Sequence, residues 1–265
     1  MSSYKWDAAD YAKSSSEQQR WARELIAKFD LKGDERLLDI GCGDGKVTAE
    51  IASHLPRGSA VGMDNSENMI ALARSAYPTE ASPNLRFEKQ DACSLPFENE
   101  FDVVFSNATL HWVLDHAPVL GGIRRGLKCG GKALLQMGGS GNAADVIATL
   151  DVLIASNEWR DYFKGFSFPY GFYGPDEYRW WLHEAGLHAT RVELIPKDMV
   201  HRDRSAFADW LRTTWLPYTQ RVPQDRRAAF TTQLVNKYLD AHPSDENGTV
   251  HVKMVRLEVE AIRHC

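Results

Sequence analysis

The sequence predicts an α/β fold: a doubly wound, seven-stranded sheet with helical cap insertions. Short apolar segments alternate with segments whose apolar residues recur every three or four positions, which is typical of strands and helices around a parallel sheet. Three glycines at alternate positions, Gly41, Gly43 and Gly45, connect the first such strand to its helix. The length of 265 residues allows one sizeable core with a cap.

The strands are assigned from apolar composition and from the turn residues between them. They are predicted at residues 36–40, 59–64, 85–89, 101–106, 132–137, 188–195 and 249–263. The fourth is mostly apolar, as expected for a central strand of a parallel sheet. Before the first strand, residues 17–29 are predicted to form a helix with Trp21 and Leu25 on its inner face.

The glycine spacing decides which ligand the turn after the first strand binds. A P-loop requires Gly-Lys followed by Ser or Thr, but Lys46 is followed by Val47. The dinucleotide pattern G-x-G-x-x-G also fails, because the third glycine comes one residue early. What remains is D-x-G-x-G-x-G, beginning at Asp39. Glycine has no Cβ, so a ligand can approach the main chain there.

Polar residues follow the next three strands. Asp64 ends the second strand and is suited to bind both hydroxyls of a ribose, Asp91 follows the third, and Asn107 follows the fourth. The carboxyl ends of parallel strands lie at one rim of the sheet, so these side chains are predicted to lie close together. A tight turn alone would need the glycines but not the acids, so the pattern indicates a ligand site.

Composition narrows the classes of partner and compartment. The net charge of −5 gives no overall attraction to nucleic acid or to an anionic membrane, and neither is expected as a partner. No apolar run approaches the roughly 20 residues of a membrane helix. The four cysteines, Cys42, Cys93, Cys129 and Cys265, show no metal-binding spacing and are expected to be reduced. We therefore expect a cytoplasmic protein without a metal, and the oligomeric state stays open.

Residues 36–137 resemble the class I methyltransferases, which use S-adenosyl-L-methionine (SAM) and have a Rossmann-like fold. The resemblance implies SAM as the cofactor. It implies that an acid at the position of Asp91 accepts from the adenine amino group, and that the next backbone N–H meets a ring nitrogen. The cofactor-binding residues implied are Asp39, Gly41, Cys42, Gly43, Gly45, Asp64, Asn65, Met69, Asp91, Ala92 and Asn107.

A narrower resemblance covers nearly the whole chain. Residues 11–20, 106–113 and 169–178 are similar to the juvenile hormone acid and trans-aconitate methyltransferase group, which methylates carboxylates of small molecules. In the hormone enzymes a glutamine of the N-terminal helix and a tryptophan after the fourth strand hold the substrate carboxylate. These positions match Gln18 and Trp112. Pattern alone favours Gln18 as a helix-start residue bonded to backbone, and the resemblance favours the substrate role.

The helical insertions are predicted at 142–186 and 205–245, over the active site of a single domain spanning 1–265, with 1–35 as an N-terminal helical segment. Their many aromatic residues indicate a cap core and also an apolar pocket wall. Arg212 is a candidate for a second carboxylate or a phosphate, and a surface arginine with its stem on Trp215 is the alternative. The predicted substrate-binding residues are Tyr11, Gln18, Trp112, Tyr170, Trp210 and Arg212.

The acceptor decides which catalytic groups are needed. A carboxylate, with an unperturbed pKa of roughly 4, is already ionised and needs no base, so Gln18 and Trp112 would act as N–H donors. A phenol or alcohol acceptor would need a general base, and His111 is the candidate. A packed structural role is the favoured interpretation of His111. A SAM-binding protein without turnover is the alternative from a different class.

Overall fold

A computed structural model describes residues 16–28 and 30–265, with side chains from Trp21 onwards. The strands are β1 (Arg36–Ile40), β2 (Ser59–Asp64), β3 (Leu85–Lys89), β4 (Phe101–Asn107), β5 (Leu127–Gly138), β6 (His188–His201) and β7 (Val250–Ile262). The helices are α1 (Ser16–Ile26), α2 (Lys46–Ser53), α3 (Glu67–Ala76), α4 (Ala117–Gly126), α5 (Ala144–Ile154), α6 (Pro175–Glu184), α7 (Arg204–Thr214), α8 (Leu216–Thr219) and α9 (Arg227–Ala241).

The strands form the predicted seven-stranded sheet, in the order β3-β2-β1-β4-β5-β7-β6. The first five strands pair in parallel, and β7 pairs antiparallel with β5. Strand order reverses between β1 and β4, where connections leave to opposite sides. In open α/β sheets, ligands bind beyond the carboxyl ends of the strands at such a point. The topology therefore locates the candidate site at the ends of β1 and β4.

Both faces of the sheet are covered at β1, β2 and β4, which are therefore largely apolar on both sides. Along β1, Leu38 and Ile40 belong to one core cluster, together with residues of α4 and α6. Leu37 belongs to the other, with residues of α1, α2 and α3. The inner face of α1 is buried as predicted, with Trp21 and Leu25 almost fully enclosed. The helix ends at Ile26, and its predicted last residue, Phe29, lies outside the described residues.

Internal contacts group the described chain into two compact units. The sheet unit contains Gln18–Ser140, Tyr170–Ile195 and Arg256–Cys265, and the helical unit contains Gly141–Pro169 and Pro196–Val255. The predicted insertion 142–186 thus divides after Pro169. The reason is that α6 buries Tyr178 and Leu182 in the core of the sheet unit. The placement of the insertions over the active site stays a prediction.

The helical unit has an aromatic core of its own. Trp159 is fully buried and packs edge-on against Phe230, 5.1 Å between ring centroids. Its indole N–H donates to Gln233 Oε1 over 2.8 Å. Phe163 stacks on the same Phe230 ring. These rings supply the core that the insertion needs.

The expectation of four reduced cysteines was wrong for two of them. Cys129 and Cys265 form a disulfide, with Cα atoms 5.1 Å apart. The antiparallel pairing of β5 with β7 brings them together, since Lys132 lies opposite Ile262. Their separation of 136 residues carries no sequence signal for the bond. Among the described residues, Cys42 and Cys93 are free thiols. Within the same residues, the helices are all too short or too polar to span a membrane.

A buried carboxylate organises the α1 side of β7. Glu258 is 2 % exposed and accepts hydrogen bonds from Lys28 Nζ, Arg191 Nη2 and Gln136 Nε2. Arg191 also donates to Glu260 over 2.7 Å. Burial alone would raise the pKa of Glu258, but the donors Lys28 and Arg191 outweigh it and lower the pKa overall. The network joins β5, β6 and β7 to the segment that follows α1.

We predict that Glu258→Gln destabilises the fold by about 1.5–3 kcal/mol at neutral pH, because it removes the charged acceptor of the hydrogen bonds from the partly exposed Lys28 and Arg191. A lowered folded-state pKa stabilises the protein above the unfolded value, near 4.5, and that contribution is lost as pH falls through the folded value. Denaturant unfolding at pH 7 and at about pH 3 measures both effects. The gap between wild type and variant should narrow at the lower pH, and an equal gap at both would contradict the assignment.

Candidate active site

The glycine turn after β1 has a backbone that only glycine adopts readily. The φ angles of Gly41, Gly43 and Gly45 are 81°, 53° and 82°, all left-handed. A Cβ on Gly41 would lie 2.1 Å from Thr109, and one on Gly45 would lie 2.6 Å from Phe87. A Cβ on Gly43 would meet no atom of the described residues within 4 Å. The turn therefore packs closely on the protein at both ends and exposes backbone at its middle.

Hydrogen bonds tie this turn to the end of β2. The amides of Gly41 and Cys42 both donate to the carbonyl oxygen of Met63, over 2.7 and 2.9 Å. Asp64 accepts from the Gly43 amide at one carboxylate oxygen, over 3.1 Å, and from the Ser66 amide at the other, over 2.8 Å. Burial raises the pKa of Asp64 despite these two bonds. Further donors, such as the hydroxyls of a ribose, would stabilise its charge.

Asp39 supports the same turn from inside. Its side chain is buried, and it accepts a 2.6 Å hydrogen bond from the Thr48 hydroxyl in the first turn of α2. Burial, opposed by this bond, raises the pKa of Asp39 to about 7. The described contact thus fixes β1 to the helix that follows the turn. A direct contact of Asp39 with the cofactor stays a prediction.

The remaining predicted cofactor residues follow β2, β3 and β4 along the same rim. Asp91 caps a short 3-10 turn, Ala92–Ser94, by accepting from the Cys93 amide over 2.9 Å. Asn65 is exposed, whereas Met69 is buried in α3. Asn107 is the last residue of β4. Because β1 pairs with both β2 and β4, the sheet brings these strand ends together.

Two hydroxyl residues that join β4 to β1 are absent from the sequence-based prediction. Thr109 Oγ1 lies 3.1 Å from the carbonyl oxygens of both Gly41 and Asn107, and Ser106 Oγ donates to the Ile40 carbonyl over 2.7 Å. The intervening Ala108 has a left-handed φ of 54°. A hydroxyl after a strand has no motif signal of its own, so only the tertiary contact reveals this role.

An aromatic cluster follows β4. Trp112 meets Tyr170 edge-on at 4.9 Å, and Tyr170 stacks on Phe172 at 5.3 Å between centroids. His111 contacts all three rings, and its carbonyl oxygen accepts from the Gly171 amide over 2.8 Å. The structure therefore brings His111, Trp112 and Tyr170 together and adds Phe172 to them.

A buried histidine holds the turn that carries this cluster. His116 Nε2 lies 3.0 Å from the Leu110 carbonyl oxygen and 2.9 Å from that of Val113. Both partners are acceptors, so this nitrogen carries the hydrogen, and Nδ1 accepts from the Tyr178 hydroxyl over 2.8 Å. Burial lowers the pKa of His116 and keeps the ring neutral. No sequence motif indicates this pair.

The protonation state of His111 follows from its surroundings. Burial, and then the positive charge of Arg256, lowers the pKa of His111 to about 3. The ring is therefore neutral at physiological pH. The Gly138 amide donates to Nδ1 over 3.4 Å, which places the remaining hydrogen on Nε2.

Several predicted acceptor residues lie elsewhere. Gln18 belongs to α1, but its side chain lies outside the described residues, as does all of Tyr11. Trp210 is buried in the helical unit, and Arg212 there forms a 3.1 Å ion pair with Asp209. Their contact with an acceptor stays a prediction. The described part of the chain contains no group of three or more His, Cys, Asp or Glu residues suited to hold a metal ion.

Comparison with known proteins decides the family. Residues 38–135 match the model of a methyltransferase domain. A trans-aconitate 2-methyltransferase of Variovorax paradoxus (strain S110) is 30 % identical over 254 residues, covering 92 % of each chain. An uncharacterized methyltransferase of Schizosaccharomyces pombe is 32 % identical over 229 residues, covering 83 % of this chain and 84 % of that one. The chain is a class I SAM-dependent methyltransferase.

A solved structure supports the fold of this methyltransferase. A putative methyltransferase from Bacillus halodurans C-125 superposes with a TM-score of 0.63 at 18 % identity, covering 92 % of this chain and 99 % of that one. The cofactor of the methyltransferase is SAM. The glycine turn and the end of β2 fit this cofactor, because a ligand can approach the backbone at Gly43 closely and the Asp64 carboxylate lies beside it.

We predict that Gly41→Ala damages the cofactor site beyond ordinary backbone strain, because its Cβ would collide with Thr109. Gly130→Ala is the matched control, since Gly130 has a similar φ of 77° and a Cβ there meets no described atom within 4 Å. The control should lower the free energy of unfolding by about 1 kcal/mol, and Gly41→Ala should lower it by about 1–3 kcal/mol more. Denaturant unfolding measures the stability of each variant, and calorimetry with SAM measures its cofactor affinity. Equal losses of stability in the two variants would argue against close packing of Gly41 on Thr109.

We predict that Asp64→Ala weakens SAM binding by about tenfold to a hundredfold, the range of a charge-assisted hydrogen bond. Titration calorimetry on the folded variant measures the affinity. Glu80→Gln, at an exposed residue, controls for the lost charge. Unaltered affinity in Asp64→Ala would remove Asp64 from the cofactor site.

Proposed function

We propose that this methyltransferase transfers the methyl group of SAM to a carboxylate of a small-molecule acid and forms a methyl ester. The observation that carries the proposal is the position of Trp112. It ends the short 3-10 turn Leu110–Trp112 that follows β4, and it packs against Tyr170. The end of β4 is joined to the glycine turn through Thr109. The similarity to trans-aconitate 2-methyltransferases supports a carboxylate acceptor.

Methyl transfer to a carboxylate requires the protein to align the methyl group with the acceptor, and it requires no proton transfer. SAM supplies an electrophilic methyl group on a sulfonium. The acceptor carboxylate is ionised at neutral pH, so no base has to remove a proton. In the proposal, the Trp112 indole N–H and the Gln18 amide donate to the carboxylate and orient it without cancelling its charge. The rings of Tyr170 and Phe172 exclude water beside it.

A hydroxyl acceptor is the second candidate that the sequence raised, with His111 as general base. A base is most effective when its pKa lies near the working pH. The pKa of His111, lowered to about 3 by burial, is far below that of a phenol or an alcohol. This protonation state favours a packed, structural His111 and thereby the carboxylate acceptor.

The cytoplasmic location and the absence of nucleic-acid and membrane partners also stay predictions.

A labelled-methyl assay tests the proposal directly. Purified protein and methyl-labelled SAM are incubated with trans-aconitate, other small mono-, di- and tricarboxylic acids, and a set of small phenols. We expect label in a base-labile methyl ester of at least one acid. Transfer to phenols with none to acids would refute the carboxylate assignment.

We predict that Trp112→Phe and Gln18→Ala each raise the acceptor KM by about tenfold, as expected when one hydrogen bond to a charged group is lost. SAM affinity should be unchanged, because neither side chain is assigned to the cofactor. Trp180→Phe is a matched control at a side chain that is 60 % exposed. A loss of SAM binding with the fold intact would contradict these roles.

We predict a flat pH dependence of turnover with an acid acceptor between about pH 6 and 9, since the carboxylate is ionised throughout. His111, with its pKa lowered to about 3, stays neutral over the same range, so its ionisation does not change the rate there. Initial rates at saturating SAM provide the profile. A fall in rate with an apparent pKa near 6.5 would show that a histidine with an ordinary pKa takes part.

A further inference from the structure

The disulfide between Cys129 and Cys265 lies at the edge of the sheet opposite to the cofactor site. Cys129 is near the beginning of β5, and Cys265 follows the end of β7. Leu127 of β5 pairs with Phe101, the first residue of β4, so this is the edge where the parallel strands begin. Both cysteine residues are exposed. The bond is therefore within reach of solutes, and methyl transfer does not use it.

Backbone contacts hold the two cysteines together independently of the bond. The Gly130 amide donates to the Arg263 carbonyl oxygen over 2.8 Å, and the Arg263 amide donates to the Gly131 carbonyl oxygen over 2.9 Å. The Arg263 side chain also donates from Nη1 to the Arg125 carbonyl oxygen over 3.1 Å. These contacts fix the end of β7 beside the start of β5. The disulfide can therefore open and form again without a search for its partner.

The charges near the disulfide favour attack by a thiol. Burial, and then the charge of Arg124, lowers the pKa of Arg263, so two guanidinium groups lie close together next to Cys265 in the chain. Lys128, which precedes Cys129, is paired with Asp102 and adds less positive charge. Nearby cations stabilise a thiolate, which makes the cysteine a better leaving group. They also attract a thiol that carries negative charge.

We propose that Cys129–Cys265 is a thiol–disulfide exchange site that reacts with a low-molecular-weight thiol, and that the stability of the enzyme depends on the thiol redox state. Exposed disulfides are more easily reduced than buried structural ones. Disulfides are also uncommon in compartments that keep thiols reduced, where those that occur are often redox-sensing. The inference does not depend on which acceptor the enzyme methylates.

The exchange is a two-electron reduction in two steps. The thiolate of the small molecule first attacks one sulfur, the S–S bond breaks, and the other cysteine leaves as a thiolate. A second small-molecule thiolate then attacks the mixed disulfide and releases the small molecule as its own disulfide. Each cysteine thiolate takes up one proton. Two small-molecule thiols are thus oxidised while Cys129 and Cys265 are reduced.

The length of chain between the two cysteines determines what reduction changes. They are separated by 136 residues, and that segment contains β6, β7 and both described segments of the helical unit. A bond that closes so long a loop restricts the unfolded chain and thereby stabilises the fold. Reduction removes this restriction and leaves the glycine turn at the opposite edge intact. The reduced enzyme should therefore be less stable, with an unchanged affinity for SAM.

The first experiment measures the exchange itself. Purified wild type is incubated with reduced or with oxidised glutathione, and alkylation under denaturing conditions followed by mass spectrometry identifies the free thiols. In oxidised glutathione, Cys129 and Cys265 should be linked to each other. In millimolar reduced glutathione both should become alkylated within hours, the slow limit of ordinary thiol–disulfide exchange.

The second experiment measures the consequence for stability. Reduction should lower the Tm of the wild type by about 5–10 °C, as expected for opening a long loop in a chain of this size. The double variant Cys129→Ser/Cys265→Ser should have the Tm of the reduced wild type and should not respond to reduction. Cys93→Ser is the matched control, because it removes a free thiol and keeps the disulfide. Its Tm should fall on reduction as far as that of the wild type.

Three results would overturn the inference. The first is wild type in oxidised glutathione with Cys129 and Cys265 both free, and the second is a disulfide that millimolar reduced glutathione leaves intact. The third is a Tm that reduction changes by less than about 1 °C. These measurements use the wild type, so they decide the matter even if the double variant does not fold. Calorimetry with SAM on the oxidised and reduced forms should give affinities within about twofold, and a larger loss would contradict a role in stability alone.

Discussion

The site depends on one constraint, which is that the backbone between β1 and α2 follows a left-handed path through three glycines. That path aims the amides of Gly41 and Cys42 at the Met63 carbonyl oxygen and the amide of Gly43 at Asp64. The turn, the end of β2 and, through Thr109, the end of β4 thereby become one rigid unit. A rigid backbone surface is what a cofactor needs if its methyl group is to be aligned with an acceptor.

The polar groups behind this rim are neutral or compensated, and this has a chemical consequence. His116 and His111 are both kept uncharged by burial, so the turn after β4 carries no imidazolium. Both ring nitrogens of His116 are hydrogen-bonded, one to two carbonyl oxygens and the other to the Tyr178 hydroxyl. His116 therefore has no nitrogen available for proton transfer. Arg256, a cation of the sheet unit, packs over the Trp21 ring. The two neutral, buried imidazoles make the turn after β4 unsuited to remove protons.

The two faces of β7 make two different kinds of contact. Leu257, Val259 and Ala261 pack into the apolar core with α4 and α6. The alternate residues Arg256 and Glu258 face the α1 side with their charges. Alternation along a strand makes this separation possible, since neighbouring side chains point to opposite faces. The sequence pattern there indicated a strand but not that its polar face was buried and ionic.

Local order along the chain was enough to determine the sheet, the glycine turn and the acids after β2 and β3, because strand periodicity, glycine spacing and strand-end position are all properties of neighbouring residues. Contacts between residues far apart were decided only by the tertiary structure. Cys129 meets Cys265, Thr109 meets Gly41, and Arg256 meets Trp21, and each pair is separated by at least 68 residues. Such pairs form because the sheet sets which strands are neighbours, and no short-range pattern encodes that choice.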